Sequence, residues 1–132
     1  MTRLLLDTTF LVDAERGTEV PEELIDSSDD VALAAITVAE LLMGVEAASG
    51  RARTARAAFV TELVAALPVI SYDLAIAREH AVLLDAVRRA GRPRGAHDLI
   101  IAATAAGTGR VIVTADADAF TGLPGVKVRR HR

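Results

Sequence analysis

Along the chain, short runs of consecutive apolar residues alternate with longer stretches whose apolar positions recur every three or four residues. Leu4, Leu5 and Leu6 form the first run and end at Asp7; Phe10, Leu11 and Val12 then give way to the polar segment 13–17. This predicts a buried strand whose C-terminal end meets an acid opening a short helix. Segment 21–25, with Pro21 early and acids in its first turn, predicts a second short helix, and 26–30 a turn. The run 31–36 predicts a second buried strand, after which Thr37 starts a helix with Val38, Leu41, Leu42 and Val45 on one stripe. Gly50 breaks that helix, and 51–67 forms another through Phe59, Leu63, Val64 and Leu67. Pro68 ends it, Val69 and Ile70 make a strand too short to be anything but buried, and 72–90 returns to helix. Two glycines, a proline and two arginines mark 91–95 as a loop. A helix over 97–106 stops at Gly107 and Gly109. A fourth strand at 111–113, a helical turn over 116–120 and an edge strand at 126–128 follow, before a basic tail.

Strands that read as continuous apolar runs and alternate with helices are the pattern of a parallel sheet covered on both faces. The expected fold class is therefore α/β, in one domain over 1–132. The chain's 132 residues are 52% hydrophobic, with a mean hydropathy of +0.34, enough for one well-buried core and contrary to disorder. With 3% aromatic residues and no Trp, that core is aliphatic, and the stacking platforms of single-strand binders are nearly excluded. The absence of cysteine rules out disulfides, zinc–thiolate sites, iron–sulfur clusters and thiol catalysis, and suits a reducing cytoplasm. No apolar stretch approaches the ~20 residues of a membrane span, and the start of the chain shows no cleavable leader, so the expectation is a soluble, unprocessed protein. A net charge of -3 excludes nucleic-acid binding through overall charge alone; such binding needs a local basic patch.

Four acids fall at equivalent places in this scheme. Asp7 closes the first strand, Glu40 lies one turn into the helix after the second, Asp98 opens the helix after the Gly/Pro/Arg loop, and Asp116 follows the fourth strand. Ligands bind open parallel sheets in the crevice at the carboxyl ends of the strands, where these positions converge. Taken singly, each acid has an ordinary explanation. Thr37 and Glu40 spell a capping box, and helix N-termini favour acids such as Asp7, Asp98 and Asp116. Together at one edge they read differently, because clustered carboxylates repel and raise one another's pKa unless a cation neutralises them. Carboxylates without Cys or His select hard ions, chiefly magnesium or manganese, which activate water and stabilise in-line attack on a phosphodiester. Thr8, Thr9 and Thr114, beside the acids, are expected to orient them as hydroxyl donors, although Thr114 is equally an ordinary strand-end residue.

The segments Leu4-Leu5-Leu6-Asp7-Thr8, Thr37-Val38-Ala39-Glu40-Leu41-Leu42-Met43-Gly44-Val45, His97-Asp98-Leu99-Ile100-Ile101-Ala102-Ala103 and Val113-Thr114-Ala115-Asp116 resemble, in order and spacing, the successive motifs of PIN-domain ribonucleases, particularly the VapC toxins of bacterial type II toxin–antitoxin pairs. The resemblance implies a PIN-like three-layer sandwich with a parallel sheet of four to five strands. It also implies a magnesium- or manganese-dependent endoribonuclease site made by Asp7, Glu40, Asp98 and Asp116. A cognate antitoxin and a homodimer contact are implied along the helices at 40–45 and 51–67. The chain departs from the family pattern at Ala119, where an acid often precedes the aromatic residue; Asp118, one place earlier, is the alternative fifth carboxylate.

A polyanionic substrate needs cations near such a pocket. Arg88, Arg89, Arg92 and Arg94 lead into Asp98 and suit phosphate contacts, though they equally read as cations at the C-terminal end of a helix. Arg51, Arg53 and Arg56 lie at an exposed helix start, available to RNA or to an acidic partner. The tail of Lys127, Arg129, Arg130, His131 and Arg132 reads as a solubilising end, His80 and His131 as structural or surface residues, and His97 as a helix cap. Two other functions share part of the pattern: a structure-selective DNA nuclease of the same superfamily and a receiver-like phosphorylation module. The receiver requires a Lys at the end of a late strand, and the only Lys here, Lys127, sits inside the last one.

Overall fold

In the computed structural model, which describes residues 1–17 and 25–131, the three leucines that open the chain belong to the central strand, β1 (Arg3–Leu6). It is flanked by β2 (Asp30–Ala34), with β3 (Val69–Ile70) beyond it at one edge. On the other side lies β4 (Val111–Thr114), followed by β5 (Lys127–Arg130) at the opposite edge. Every pairing is parallel, so each connection must cross over, and helices supply the crossovers. Helix α1 (Thr8–Glu15) follows β1, α2 (Ala35–Ala47) and α3 (Gly50–Ala66) join β2 to β3, and α4 (Leu74–Ala90) and α5 (Ala96–Thr108) join β3 to β4. The short helix expected at 21–25 lies outside the described residues apart from Ile25, which is in no regular element.

Two cores explain why the strands read as unbroken apolar runs. Leu5, Ala32, Ala34 and Ile112 pack with Ile76, Leu83, Leu99, Ile101 and Phe120 on the α4–α5 side. Leu4, Leu6, Leu33 and Val113 pack with Phe10, Leu11, Leu41, Val45 and Val60 on the side of α1, α2 and α3. Neighbouring residues of a strand thus alternate between two apolar layers, and neither face is left to solvent. The α5 side is unusually fine-grained: Ala32 and Ala34 on β2 and Ala102, Ala103 and Ala105 on α5 are all essentially inaccessible. Side chains this small let the helix lie close to the sheet, which fixes where Asp98 in its first turn can reach.

Five local expectations are corrected. Helix α2 begins at Ala35, with Ala34 at the cap position, so Thr37 lies inside the first turn and forms no capping box; its Oγ1 is buried without a hydrogen-bond partner. The buried stripe is Thr37, Leu41 and Val45, and Leu42 is 47% exposed. Strand β3 is not buried: it pairs only with β2 and leaves Val69 40% exposed. Gly107 continues α5, and only Gly109, at a left-handed φ of 64°, ends it. The basic tail is not merely solubilising, because β5 pairs along β4 through Arg130, and His131 is buried edge-on against Phe10 with Nε2 3.3 Å from Asp13 Oδ2. Among the described residues, no helix is long and apolar enough to cross a membrane.

The amino ends of the strands are tied by Arg110, a buried cation that sequence reasoning passed over. Its Nη1 donates to the carbonyls of Leu4 at 3.1 Å and Asp30 at 2.7 Å and to Asp30 Oδ1 at 3.1 Å. Replacing Arg110 by Met leaves those acceptors without their donor and is expected to lower unfolding stability by about 2–4 kcal/mol in a denaturant titration.

Candidate active site

The chain steps from β1 to β2 and β3 on one side and places β4 and β5 on the other, so the order of strands reverses between β1 and β4. Connections leaving the carboxyl ends of two such strands diverge and open a crevice. Asp7 is the first residue after β1, and Thr114, Ala115 and Asp116 lead out of β4. Both sides of the crevice are therefore lined by backbone that the sheet has already fixed.

Asp7 is 3% exposed and occupies the cap position of α1, yet its side chain makes no capping bond. Its Oδ2 instead accepts two hydroxyls, Thr9 Oγ1 at 2.8 Å and Thr114 Oγ1 at 2.7 Å. Each hydroxyl has one proton, and both point at the carboxylate, so the 3.1 Å contact between the two oxygens closes the triangle without a proton of its own. Their lone pairs accept backbone N–H groups, Ala115 onto Thr9 at 3.0 Å and Asp116 onto Thr114 at 2.9 Å. The result ties β1, the start of α1 and the exit of β4 into one unit. Thr114 is thus no ordinary strand-end residue.

Glu40, one turn into α2, is held the same way: Thr8 Oγ1 donates to its Oε1 at 2.9 Å. His97 does not cap α5, whose cap position is Gly95; its Nδ1 lies 3.6 Å from Glu40 Oε2. Asp98, in the first turn of α5, has its carboxyl pushed above the ordinary value, first by burial and then by the charges of Asp7, Glu40 and Asp116, with His97 opposing. Asp116 stands at the cap position of the 3-10 turn Ala117–Ala119, again with no capping bond. Asp7, Glu40 and Asp116 are therefore all near enough to Asp98 to bear on its charge. The four acids do not close on a common ligating point, since among the described residues no three His, Asp or Glu side chains do so. Asp118 is not brought to them: its side chain is 92% exposed and lies 3.6 Å from Arg130.

The arginine run is mostly engaged within the protein. Arg88 and Arg89 pair with Asp85, and Arg94 donates to three carbonyls of the turn after Asp116. Cations do stand beside Glu40, where sequence spacing gave little sign of them. A cavity of about 320 Å³ is lined there by Thr8, Glu40, Arg16 and Arg56, between α1, α2 and α3. Arg56 was legible only as an exposed helix-start cation, and nothing in the spacing brought it to Glu40. Lys127 pairs with Val111 at the start of β4, the end of the sheet away from Asp7, which removes the geometry of a receiver-like module.

A model of the PIN domain matches residues 4–125. Ribonuclease VapC5 of Mycobacterium tuberculosis is 36% identical over 121 residues, covering 92% of this chain and 87% of that protein. The tRNA(fMet)-specific endonuclease VapC of Salmonella typhimurium is 26% identical over 130 residues, covering 97% of each chain. Among solved structures, VapBC-5 of M. tuberculosis, a member of the VapBC family of toxin–antitoxin systems, superposes with a TM-score of 0.83 at 32% identity over 98% of this chain and 99% of that one. The chain belongs to the PIN-domain family, and these relatives within it are VapC proteins.

Two outcomes test the geometry. A Cβ at Gly95 would fall 2.7 Å from Asp98 Oδ2, while the backbone there, at φ -59°, accepts any residue. Gly95→Ala is therefore expected to keep the fold, with a change in melting temperature under about 3 °C, while the displaced Asp98 carboxylate lowers manganese affinity about 10-fold by calorimetry. The raised Asp98 value means that its ionisation opposes folding: the penalty is absent below the unfolded value of about 3.9 and complete above the folded one. Without added cation, Asp98→Asn is expected to melt higher than wild type at pH 7, by on the order of 2–4 °C given the partial exposure. That gain should vanish by about pH 3 in a pH series of melting curves.

Proposed function

We propose that the chain is the toxin of a toxin–antitoxin pair and acts as a metal-dependent endoribonuclease, hydrolysing RNA phosphodiester bonds at Asp7, Glu40, Asp98 and Asp116. The observation that carries this reading is the gathering of Asp7, Glu40, Asp98 and Asp116 around the switch point of the sheet, with Asp7 and Glu40 gripped by threonine hydroxyls. Asp7 and Glu40, gripped by three threonine hydroxyls and making no capping bond, serve poorly as helix caps and better as oxygen donors. Oxygen donors of this kind would suit magnesium or manganese once drawn onto a shared ion, and the names of the two relatives, a ribonuclease and a tRNA endonuclease, support RNA as the substrate.

Each residue then has a task. Thr9 and Thr114 hold Asp7 by Oδ2 and leave Oδ1 to ligate. Thr8 holds Glu40 by Oε1 and leaves Oε2 facing His97. Asp98 and Asp116 complete the set from the other helix and the far strand. A divalent ion held by these carboxylates would supply Lewis-acid chemistry, activating water for attack and offsetting charge on the phosphoryl oxygens. Arg16 and Arg56, in the cavity beside Glu40, are placed to hold RNA phosphates next to an otherwise negative crevice. Leu42 and Met43 on α2 and Val64 on α3 leave exposed apolar surface suited to a cognate antitoxin and to a second copy of the chain, in the cytoplasm.

The test is calorimetry with manganese and magnesium, followed by cleavage of a mixed RNA pool. Wild type is expected to bind and cleave, and Asp7→Asn to lose about 100-fold or more in both. Preferential cutting of branched DNA would move the substrate to DNA. A wild-type chain that binds neither ion and cuts no RNA would return the acids to a structural role.

A further inference from the structure

We infer that Arg94 is a positioning residue, which holds the turn after Asp116 against the loop before Asp98, and not a contact for RNA phosphate. Its Nη1 donates to the carbonyls of Asp118 at 3.2 Å and Ala119 at 2.9 Å, and its Nη2 to that of Thr121 at 2.7 Å. None of these three carbonyls receives a backbone N–H among the described residues. Carbonyls left over at the end of a helical turn carry partial negative charge, and a planar guanidinium meets several of them at once where an ammonium ion meets one. Both Nη1 protons are directed inward, which distinguishes Arg94 from the solvent-facing Arg88 and Arg89.

The clamp reaches the carboxylates through backbone. Ala119, whose carbonyl takes Nη1, donates its own N–H to the Asp116 carbonyl at 3.3 Å. Asp116 N–H donates to Thr114 Oγ1, and that hydroxyl donates to Asp7. On its other side the turn is anchored by Phe120, fully buried in the α4–α5 core. At the near end of the clamp, Gly95 follows Arg94 directly and stands at the cap of α5, with Asp98 in the first turn. One side chain thus sets the spacing between Asp98 and Asp116, which arrive on separate connections. The catalytic consequence rests on the proposed ribonuclease reading; the clamp itself does not.

The experiment uses Arg94→Lys, which keeps the charge, and Arg94→Gln, which removes it, in the full chain. Amide hydrogen exchange is expected to quicken about 10-fold or more at 118–122 in both variants while β1 and β4 stay within about 3-fold of wild type, a local loosening of the turn. Manganese affinity falls about 10-fold by calorimetry. On RNA, kcat falls about 10-fold with KM within about 2-fold, and the salt dependence of KM is unchanged. Wild-type exchange at the turn in both variants would overturn the clamp. So would a raised KM with a salt slope smaller by about 1 in Arg94→Gln alone, the mark of a lost phosphate contact. If wild type neither binds manganese nor cleaves RNA, the ribonuclease reading fails, and the exchange data alone decide whether the clamp exists.

Discussion

Acids gathered in one crevice make a charge on Asp98 costly, and the contacts around Asp7 and Glu40 hold their carboxylates in place beside it. Burial and the neighbouring charges of Asp7, Glu40 and Asp116 all oppose ionisation of Asp98. Strands on either side of the switch point deliver Asp7 and Asp116, helices α2 and α5 deliver Glu40 and Asp98, and hydroxyls grip the oxygens of Asp7 and Glu40. The opposing forces occupy different ends of the sheet. Arg110 binds the amino ends of β1 and β2 together with a buried positive charge, and the crevice at the carboxyl ends carries the negative ones.

The gripping residues are short and stiff for a reason. Threonine has few rotamers, and a hydroxyl donor carries no charge that would compete with a cation for the carboxylate. An arginine in the place of Thr114 would neutralise Asp7 and tie up its carboxylate. Arginine is used instead one layer further out, where Arg94 meets carbonyls and not carboxylates. The arrangement separates the groups that hold the site from the groups that act in it.

The fold was legible wherever burial dictated the pattern. Leu4 to Leu6, the run around Leu33 and the run around Val113 are apolar on successive positions because both faces of a parallel sheet are covered. Boundaries set by local chemistry were less legible. Thr37 and Glu40 spell a capping box, yet the helix starts at Ala35 without a side-chain cap, because packing of Thr37, Leu41 and Val45 decides the helix phase. Val69 and Ile70 read as buried only because nothing in two residues says that a strand has one neighbour. Of the site, the four acids and the three threonines stand where strand ends and helix starts put them. The pairing of His97 with Glu40, the turning away of Asp118 and the inward use of Arg94 depend on contacts between segments far apart in sequence, which no local pattern encodes.

A parallel sheet that does not close has two open edges, each a row of backbone groups that another sheet can copy. Here one edge, β3, is two residues long and offers almost nothing to copy. The other, β5, reads Lys-Val-Arg-Arg, so the β5 of a second molecule laid along it would set cationic side chains against cationic ones. Cationic side chains thus guard the longer edge. At the concentrations where unguarded sheets join edge to edge into fibres, this one is set to repel its own copies.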